Sequence, residues 1–351
     1  MIKLKKIGIG IVGAGWVADN IHAPCHMKNP SAKIVAVADI LEKAAKSLAQ
    51  KYGCKAWYTD YKKMFERSDI DVIDICVPNY RHADISVSAT EAGKNVICEK
   101  PLAISVEQAD KMVASAKRHG VKLMYAENSL FAPALTRAKG IIDEGGIGKI
   151  LYIEARETHS GSHSPFAIQK KYSGGGCLLH LGCHPVGESL WLIDKPVKRV
   201  YAETGNLYHD IEVEDFATLL MRFEDDRAST VQANYITKGG MDDRVEIYGT
   251  DGVMLVNWTK SDQVRVFSEK GYSYAVEKVD ITTGWANVTV NDLWDLGYTN
   301  ELRHFVECVA EDKKPFPNGE FGRNVLKVIF AGYKSAEEGK PITLQTSPCT
   351  H

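Results

Sequence analysis

A chain of 351 residues, 44% of them apolar, is long enough for about two domains whose cores need no disulfide staples. A formal net charge of −2, with no cluster of Lys and Arg, excludes nucleic acid and an anionic membrane surface as expected partners. No stretch approaches about 18 uninterrupted apolar residues, which excludes a membrane span.

The opening MIKLKKIGIGIVGAG is apolar only between glycines and runs straight into a turn. It reads as part of the fold and not as a secretory signal, so a cytoplasmic protein is expected. Up to about residue 125, KIGIGIV, KIVAVAD, DVIDICV, NVICEK and VKLMYAE are short runs rich in Val and Ile, as in strands buried on both faces. LEKAAKSLAQKY, HADISVSATEAG and SVEQADKMVASAKRHG lie between them with apolar residues at helical spacing. Ser105 and Gln108 form the N-terminal signature of the last, and Gly120 closes it. This alternation predicts an α/β chain whose first domain, residues 1–125, is a parallel sheet wrapped by helices. FAPALTRAKGIIDEG is a helix near the boundary.

Residues 126–351 read as a second α/β domain. KILYIEARE, VKRVYAET, DFATLLMRF, STVQANYI, DRVEIYG and VMLVNW follow one another with few helices, which predicts a large, mostly antiparallel open sheet. One helical segment over about 176–193 interrupts it, and ELRHFVECVAE and NVLKVIFAGYKSAEE close the chain. The eight cysteines are scattered, several inside apolar runs (Cys76, Cys98), and read as reduced thiols.

Two glycine patterns overlap near the start. Gly8, Gly10 and Gly13 match G-x-G-x-x-G literally, but leave only IKLKK as the preceding strand. The register Gly13-Ala14-Gly15-Trp16-Val17-Ala18 instead follows the apolar run KIGIGIV. It puts a tight turn at the strand end, lets backbone approach a pyrophosphate at Gly15, and seats the phosphates on a helix N-terminus. Asp39, closing KIVAVAD, stands at the spacing of a carboxylate that binds a ribose diol. Ile40 follows it instead of an Arg, so NAD is expected over NADP.

Two further patches carry reactive groups. Glu99-Lys100-Pro101 ends a parallel strand, where ligands of such sheets bind; the alternative for Lys100 is a solvated surface charge. In Gly174-Gly175-Gly176-Cys177-Leu178-Leu179-His180-Leu181-Gly182-Cys183-His184, a helix starting near Gly176 puts His180 and His184 on one face. That pair fits proton transfer or metal binding; the alternative for His180 is a core histidine. Cys177, His180 and His184 fall within about 60° on an ideal helix, and Glu157 or His159 would complete a zinc or manganese shell. Three ligands within two turns converge poorly on one ion, so no metal is expected.

These motifs together resemble the glucose–fructose oxidoreductase, inositol dehydrogenase and MocA (Gfo/Idh/MocA) family over nearly the whole chain. VGAGWVA is similar to its dinucleotide turn. DIDVIDICVPNYRHADISVSATEAGKNVICEKPLA is similar to its most characteristic stretch, GGGCLLHLGCH to its catalytic GGG-x-x-x-D-x-G-x-H, and FGRNVLKVIFAGYKSAEEGKPITL to its closing helix and strand. The resemblance implies a Rossmann domain, then an α/β domain whose sheet joins subunits into a homodimer or homotetramer, and a sugar, inositol or sugar-derivative substrate. It implies that Lys100 orients the reacting hydroxyl, that His184 is the general acid/base, and that Asn79 and His82 lie beside the nicotinamide end. It also implies that the bond before Pro101 is cis. The departure is His180, where the family has aspartate; Glu157, beside Arg156 and His159, or Glu127 would supply the missing carboxylate. The implied reaction is hydride transfer between nicotinamide and a secondary carbinol or ketone. The alternatives are transient oxidation by retained NAD in a lyase or hydrolase, a metal-assisted reaction through His180 and His184, and a dinucleotide sensor without turnover.

Overall fold

The computed structural model describes residues 6–162, 164–259, 264–268, 283–288 and 291–344. Two compact units emerge, Met1–Asn128 with Tyr298–Arg323, and Ser129–Gly297 with Asn324–His351. The division is not a single cut in the sequence, because Tyr298–Arg323 returns to the first unit.

In the first unit, short strands of Val, Ile and Ala form one parallel sheet: β1 (Ile7–Val12), β2 (Ala32–Ala38), β3 (Ala56–Tyr58), β4 (Val72–Ile75), β5 (Asn95–Glu99) and β6 (Leu123–Ala126). Their order is β3-β2-β1-β4-β5-β6. The chain winds outward from β1, returns to its other side at β4, and so opens a crevice at the carboxyl ends of those two strands. β1 and β4 are buried at every position, as strands covered on both faces must be. The helix Val106–His119 carries the signature expected of it. Ser105 Oγ accepts the Gln108 N–H at 3.2 Å, and Gly120 ends the helix at φ 65°. The returning helix Tyr298–Ala310 buries Leu302, Phe305 and Val306 and packs on β1 and on the helix Ala23–Lys28.

In the second unit, β7 (Ile150–Thr158), β8 (Val197–Gly205), β9 (Phe216–Phe223), β10 (Ala228–Asn234), β11 (Asp242–Gly249), β12 (Val253–Asn257) and the short β15 (Ile342–Thr343) make one sheet, ordered β12-β11-β7-β10-β9-β8-β15. Between them in sequence, β13 (Val264–Ser268) and β14 (Gly284–Val288) form a separate antiparallel ladder. Only β7 and β10 of the large sheet pair in parallel. Alternation sorts its faces: Ala217, Leu219, Met221 and Phe223 of β9 are buried, whereas Leu220 points outward.

One expectation needs correction. The helical segment 176–193 is two helices, Cys177–His180 and Cys183–Ile193. Both Leu181 and Gly182 donate to the Cys177 carbonyl, and His184 N–H returns only to Leu181. This local tightening ends the regular helical ladder, so His180 and His184 do not share a face of one continuous helix. The seven described cysteines are free thiols; Cys349 lies outside the described residues. Among the described residues, no helix is long and apolar enough to cross a membrane.

Candidate active site

In the first unit, Gly8 and Gly10 lie inside β1, and the turn that follows the strand is Gly13-Ala14-Gly15. Gly13 has φ +97°, and a Cβ there would lie 2.2 Å from the Cys76 carbonyl oxygen. Only glycine fits both constraints. At Gly15 a Cβ would meet nothing within 4 Å, so the backbone is open where a pyrophosphate must approach. Trp16 and Val17 lead into a widened helical turn, Ala18–His22, continued by the helix Ala23–Lys28. Ala18 is buried against the sheet.

Asp39 follows β2 and is held against this turn. Its Oδ2 accepts the Ala14 N–H and its Oδ1 the Leu41 N–H, both at 2.8 Å. A carboxylate oxygen has two lone pairs, so capacity remains for hydroxyl donors. Ile40, beside it, is 87% exposed. The accepting carboxylate and the open backbone therefore fit a dinucleotide with a free ribose diol.

Glu99 ends β5, and Lys100 follows at the cis Lys100–Pro101 bond. The Lys100 N–H donates to Glu99 Oε2 at 3.0 Å. Asn79 opens the short helical turn Asn79–Arg81, with His82 behind it. His82 is fully buried, its Nδ1 2.8 Å from the Pro101 carbonyl and its Nε2 2.9 Å from that of Val77. Burial lowers its pKa. His82 therefore ties its loop to the lysine turn through backbone.

In the second unit, His184 is buried in the first turn of the helix Cys183–Ile193, with Nε2 3.5 Å from Glu157 Oε2. A carboxylate thus stands beside this histidine, although position 180 lacks one. Glu157 on β7 pairs across the ladder with Asp243 on β11. Glu188 lies one turn beyond His184, and all three acids are buried. Burial, then the charges of Glu157 and Glu188, push the Asp243 pKa well up. Carboxylates so confined cannot all ionise, and the cluster retains a proton.

His180 has a different partner. Its Nδ1 lies 2.8 Å from the Tyr235 hydroxyl, and the His159 ring stacks on Tyr235 and meets His180 edge-on. The Cys177 thiol donates to the Ala233 carbonyl at 3.2 Å. Among the described residues, Cys177, His180 and His184 do not form a metal-holding group.

Tyr235 and Glu214 escape sequence reasoning. The Glu214 carboxylate accepts the N–H groups of Gly176 and Leu178 and the Tyr333 hydroxyl, at 2.7–3.0 Å. Burial nonetheless pushes its pKa up. A Cβ at Gly176 would fall 2.1 Å from the Glu214 carbonyl oxygen, which explains a glycine at that step. The one signal for Glu214 was an acidic residue just before a strand, in a chain whose glycine-rich N–H groups need an acceptor.

Comparison with known proteins identifies the family of both halves of the chain. Residues 7–127 match the model of an oxidoreductase family with an NAD-binding Rossmann fold, and residues 135–255 match the GFO/IDH/MocA C-terminal domain. The scyllo-inositol 2-dehydrogenase (NAD(+)) of Bacillus subtilis (strain 168) is 29% identical, over 91% of this chain and 92% of its own. The levoglucosan dehydrogenase of Pseudarthrobacter phenanthrenivorans is 26% identical, over 95% and 97%. The crystal structure of GenD2 from gentamicin A biosynthesis, in complex with NAD, superposes with a TM-score of 0.92 at 24% identity, covering 99% of this chain and 98% of that one. With its parallel sheet opening on the Gly13–Gly15 turn and its mixed second sheet, the chain belongs to the Gfo/Idh/MocA family of NAD-binding oxidoreductases.

Proposed function

We propose that this oxidoreductase interconverts a secondary hydroxyl and a ketone on a sugar, an inositol or a related derivative, using NAD in preference to NADP. The observation that carries the reading is the buried pair His184–Glu157, a proton acceptor with a carboxylate beside it, on the segment that ends GGGCLLHLGCH. His184 takes the hydroxyl proton during oxidation and returns it during reduction. The Lys100 ammonium stabilises the alkoxide that develops meanwhile. His180, backed by Tyr235, tunes that proton transfer.

Gly13, Gly15, Trp16 and Val17 receive the pyrophosphate, and Asp39 the ribose diol. Asn79, Glu99 and Lys100 border the nicotinamide end, where His82 fixes the loop. When bound, the cofactor supplies the hydride acceptor or donor. Residues 1–125 serve as the cofactor domain, joined structurally by Tyr298–Arg323, and residues 126–351 otherwise serve substrate binding and assembly. The outer face of the large sheet, with Leu220, Val253 and Leu255 exposed, supports a homodimer or homotetramer. The protein acts in the cytoplasm.

The test is a panel of inositols, monosaccharides and anhydrosugars with NAD, followed by absorbance of the reduced cofactor. At least one member should give NADH, and His184→Asn should lower that rate about 10²–10⁴-fold, the range for one positioned acid/base group. Failure of every polyol, or wild-type turnover in His184→Asn, would overturn the reading.

A further inference from the structure

Beneath the lysine turn lies a charge cluster whose His22, His26 and Asp74 none of the roles above uses. His22, in the widened helical turn after Gly15, is fully buried, and both its ring nitrogens face carboxylates. Nδ1 lies 2.9 Å from each oxygen of Asp74 on β4, and Nε2 lies 2.8 Å from Oε1 of Glu99 at the end of β5. Asp74 takes a second donor, His26 Nε2, at 2.8 Å. The other oxygen of Glu99 is the one that accepts the Lys100 N–H.

We propose that His22 is a positioning residue for Lys100: as a buried cation bridging Asp74 and Glu99, it fixes the carboxylate on which the Lys100 backbone hangs. The proposal rests on the assignment of Lys100 above. Ionised carboxylates only accept hydrogen bonds, so a ring wedged between two of them must donate from both nitrogens, which makes it an imidazolium. Burial works most strongly against that charge, but the interactions with Asp74 and Cys76 together outweigh it and hold the His22 pKa well above the usual histidine value. Burial likewise opposes the charge of Glu99, and the His22 hydrogen bond still keeps its pKa low.

The remaining titratable neighbours do not compete for the role. Burial raises the pKa of the Cys25 and Cys76 thiols, and burial and the Glu99 charge push that of Glu301, on the helix Tyr298–Ala310, well up. With His82 at the Pro101 carbonyl, the turn Glu99–Pro101 is held by one buried imidazole on each side. Buried ion pairs are weak devices for stability, since apolar side chains of the same size do as well. Their use here is to give Glu99 one orientation.

His22, His26 and Asp74 could also be read as metal ligands. Their nitrogen–oxygen separations of 2.8–2.9 Å are hydrogen-bond lengths. Donors around a tetrahedral zinc, with bonds of about 2.0–2.1 Å, stand roughly 3.3 Å apart. These lengths favour the hydrogen-bonded reading.

The test is a double-mutant cycle of His22→Gln and Lys100→Met in the full-length protein, with NAD affinity, KM and kcat measured for each. His22→Gln should lower kcat about 10–10²-fold, the scale of a misplaced reacting group, with NAD affinity and KM little changed. In the Lys100→Met background it should cost almost nothing more. Equal losses in both backgrounds would show a merely structural role and overturn the proposal. Wild-type kcat in His22→Gln beside an impaired Lys100→Met would sink the clamp alone, whereas wild-type turnover in Lys100→Met would sink the assignment of Lys100. If His22→Gln does not fold, nitrogen-15 imidazole shifts of the wild-type protein decide. Two protonated ring nitrogens on His22 at neutral pH support the clamp, and a neutral ring, or a stoichiometric bound metal, contradicts it.

Discussion

On the proposed reading, Asp39 sets cofactor choice by doing two things with one carboxylate. It accepts two backbone N–H groups, which fixes its orientation, and it keeps lone pairs and a negative charge for whatever lies beyond the turn. Asp39→Ala should weaken NAD about 10–10²-fold, the cost of losing hydrogen bonds to a charged group, and should lessen discrimination against NADP. Unchanged kinetics with both cofactors would refute the role. Glu301 makes a prediction in pH. Burial, then the Glu99 charge, raise its pKa well above the usual carboxyl value. Among the described residues, neither oxygen has a hydrogen-bond partner. The folded state therefore keeps a proton that the unfolded state releases near pH 4.3. The stability linked to that proton is full below this pH, and is lost by about 1.4 kcal/mol per pH unit until the folded pKa is passed. Glu301→Gln removes the loss, so its Tm relative to wild type should climb as the pH rises above about 5. A difference that stays flat would mean the acid is not held protonated. Lys100, Asp39 and His184 stand out in the sequence because each sits in a short local motif. His22 was not, since its meaning depends on Asp74 and Glu99, 52 and 77 residues away.

At the scale of elements, the helical approach to His184 shows why local pattern can mislead. A glycine-rich run followed by GGGCLLHLGCH reads as one helix, yet the chain tightens at Leu181–Gly182 and starts again at Cys183. The break sends His180 to Tyr235, 55 residues on, and leaves His184 to Glu157. Nothing in the periodicity marks it, because the cause is a pair of hydrogen bonds to one carbonyl. β3 was missed for a similar reason: three half-buried residues carry too little pattern, and pairing with β2 makes them a strand. The other strands of the first sheet were legible as unbroken apolar runs. The start of this helical approach yields the element-scale prediction. Gly176→Ala must displace the Glu214 backbone that its Cβ would touch, at a cost of about 1–3 kcal/mol for an overpacked contact. It should lower both Tm and kcat, because the same backbone orients the segment leading to His184. An unaltered Tm and kcat would show that the approach tolerates more room than its geometry allows.

At the scale of the whole molecule, the chain forms two units and crosses between them more than once. The alternation of strand and helix made the first sheet legible, and the succession of strand-like runs with few helices between them made the second. The return of Tyr298–Arg323 to the first unit was not, because the apolar faces of its helices do not say what they pack against. The exposed face of the second sheet is where assembly is expected. Leu255, 71% exposed at its edge strand, is the test position. Leu255→Asp should shift the mass seen by sedimentation toward the monomer at low micromolar concentration while sparing the fold, and an unchanged mass would place the interface elsewhere. The central claim, hydride exchange between a carbinol carbon and nicotinamide with proton transfer at His184, is tested most directly by isotope. A polyol substrate deuterated at the reacting carbon should show a primary kinetic isotope effect and pass its deuterium into the NADH released to solution. Deuterium found only in the organic product, with no labelled NADH released, would contradict the account.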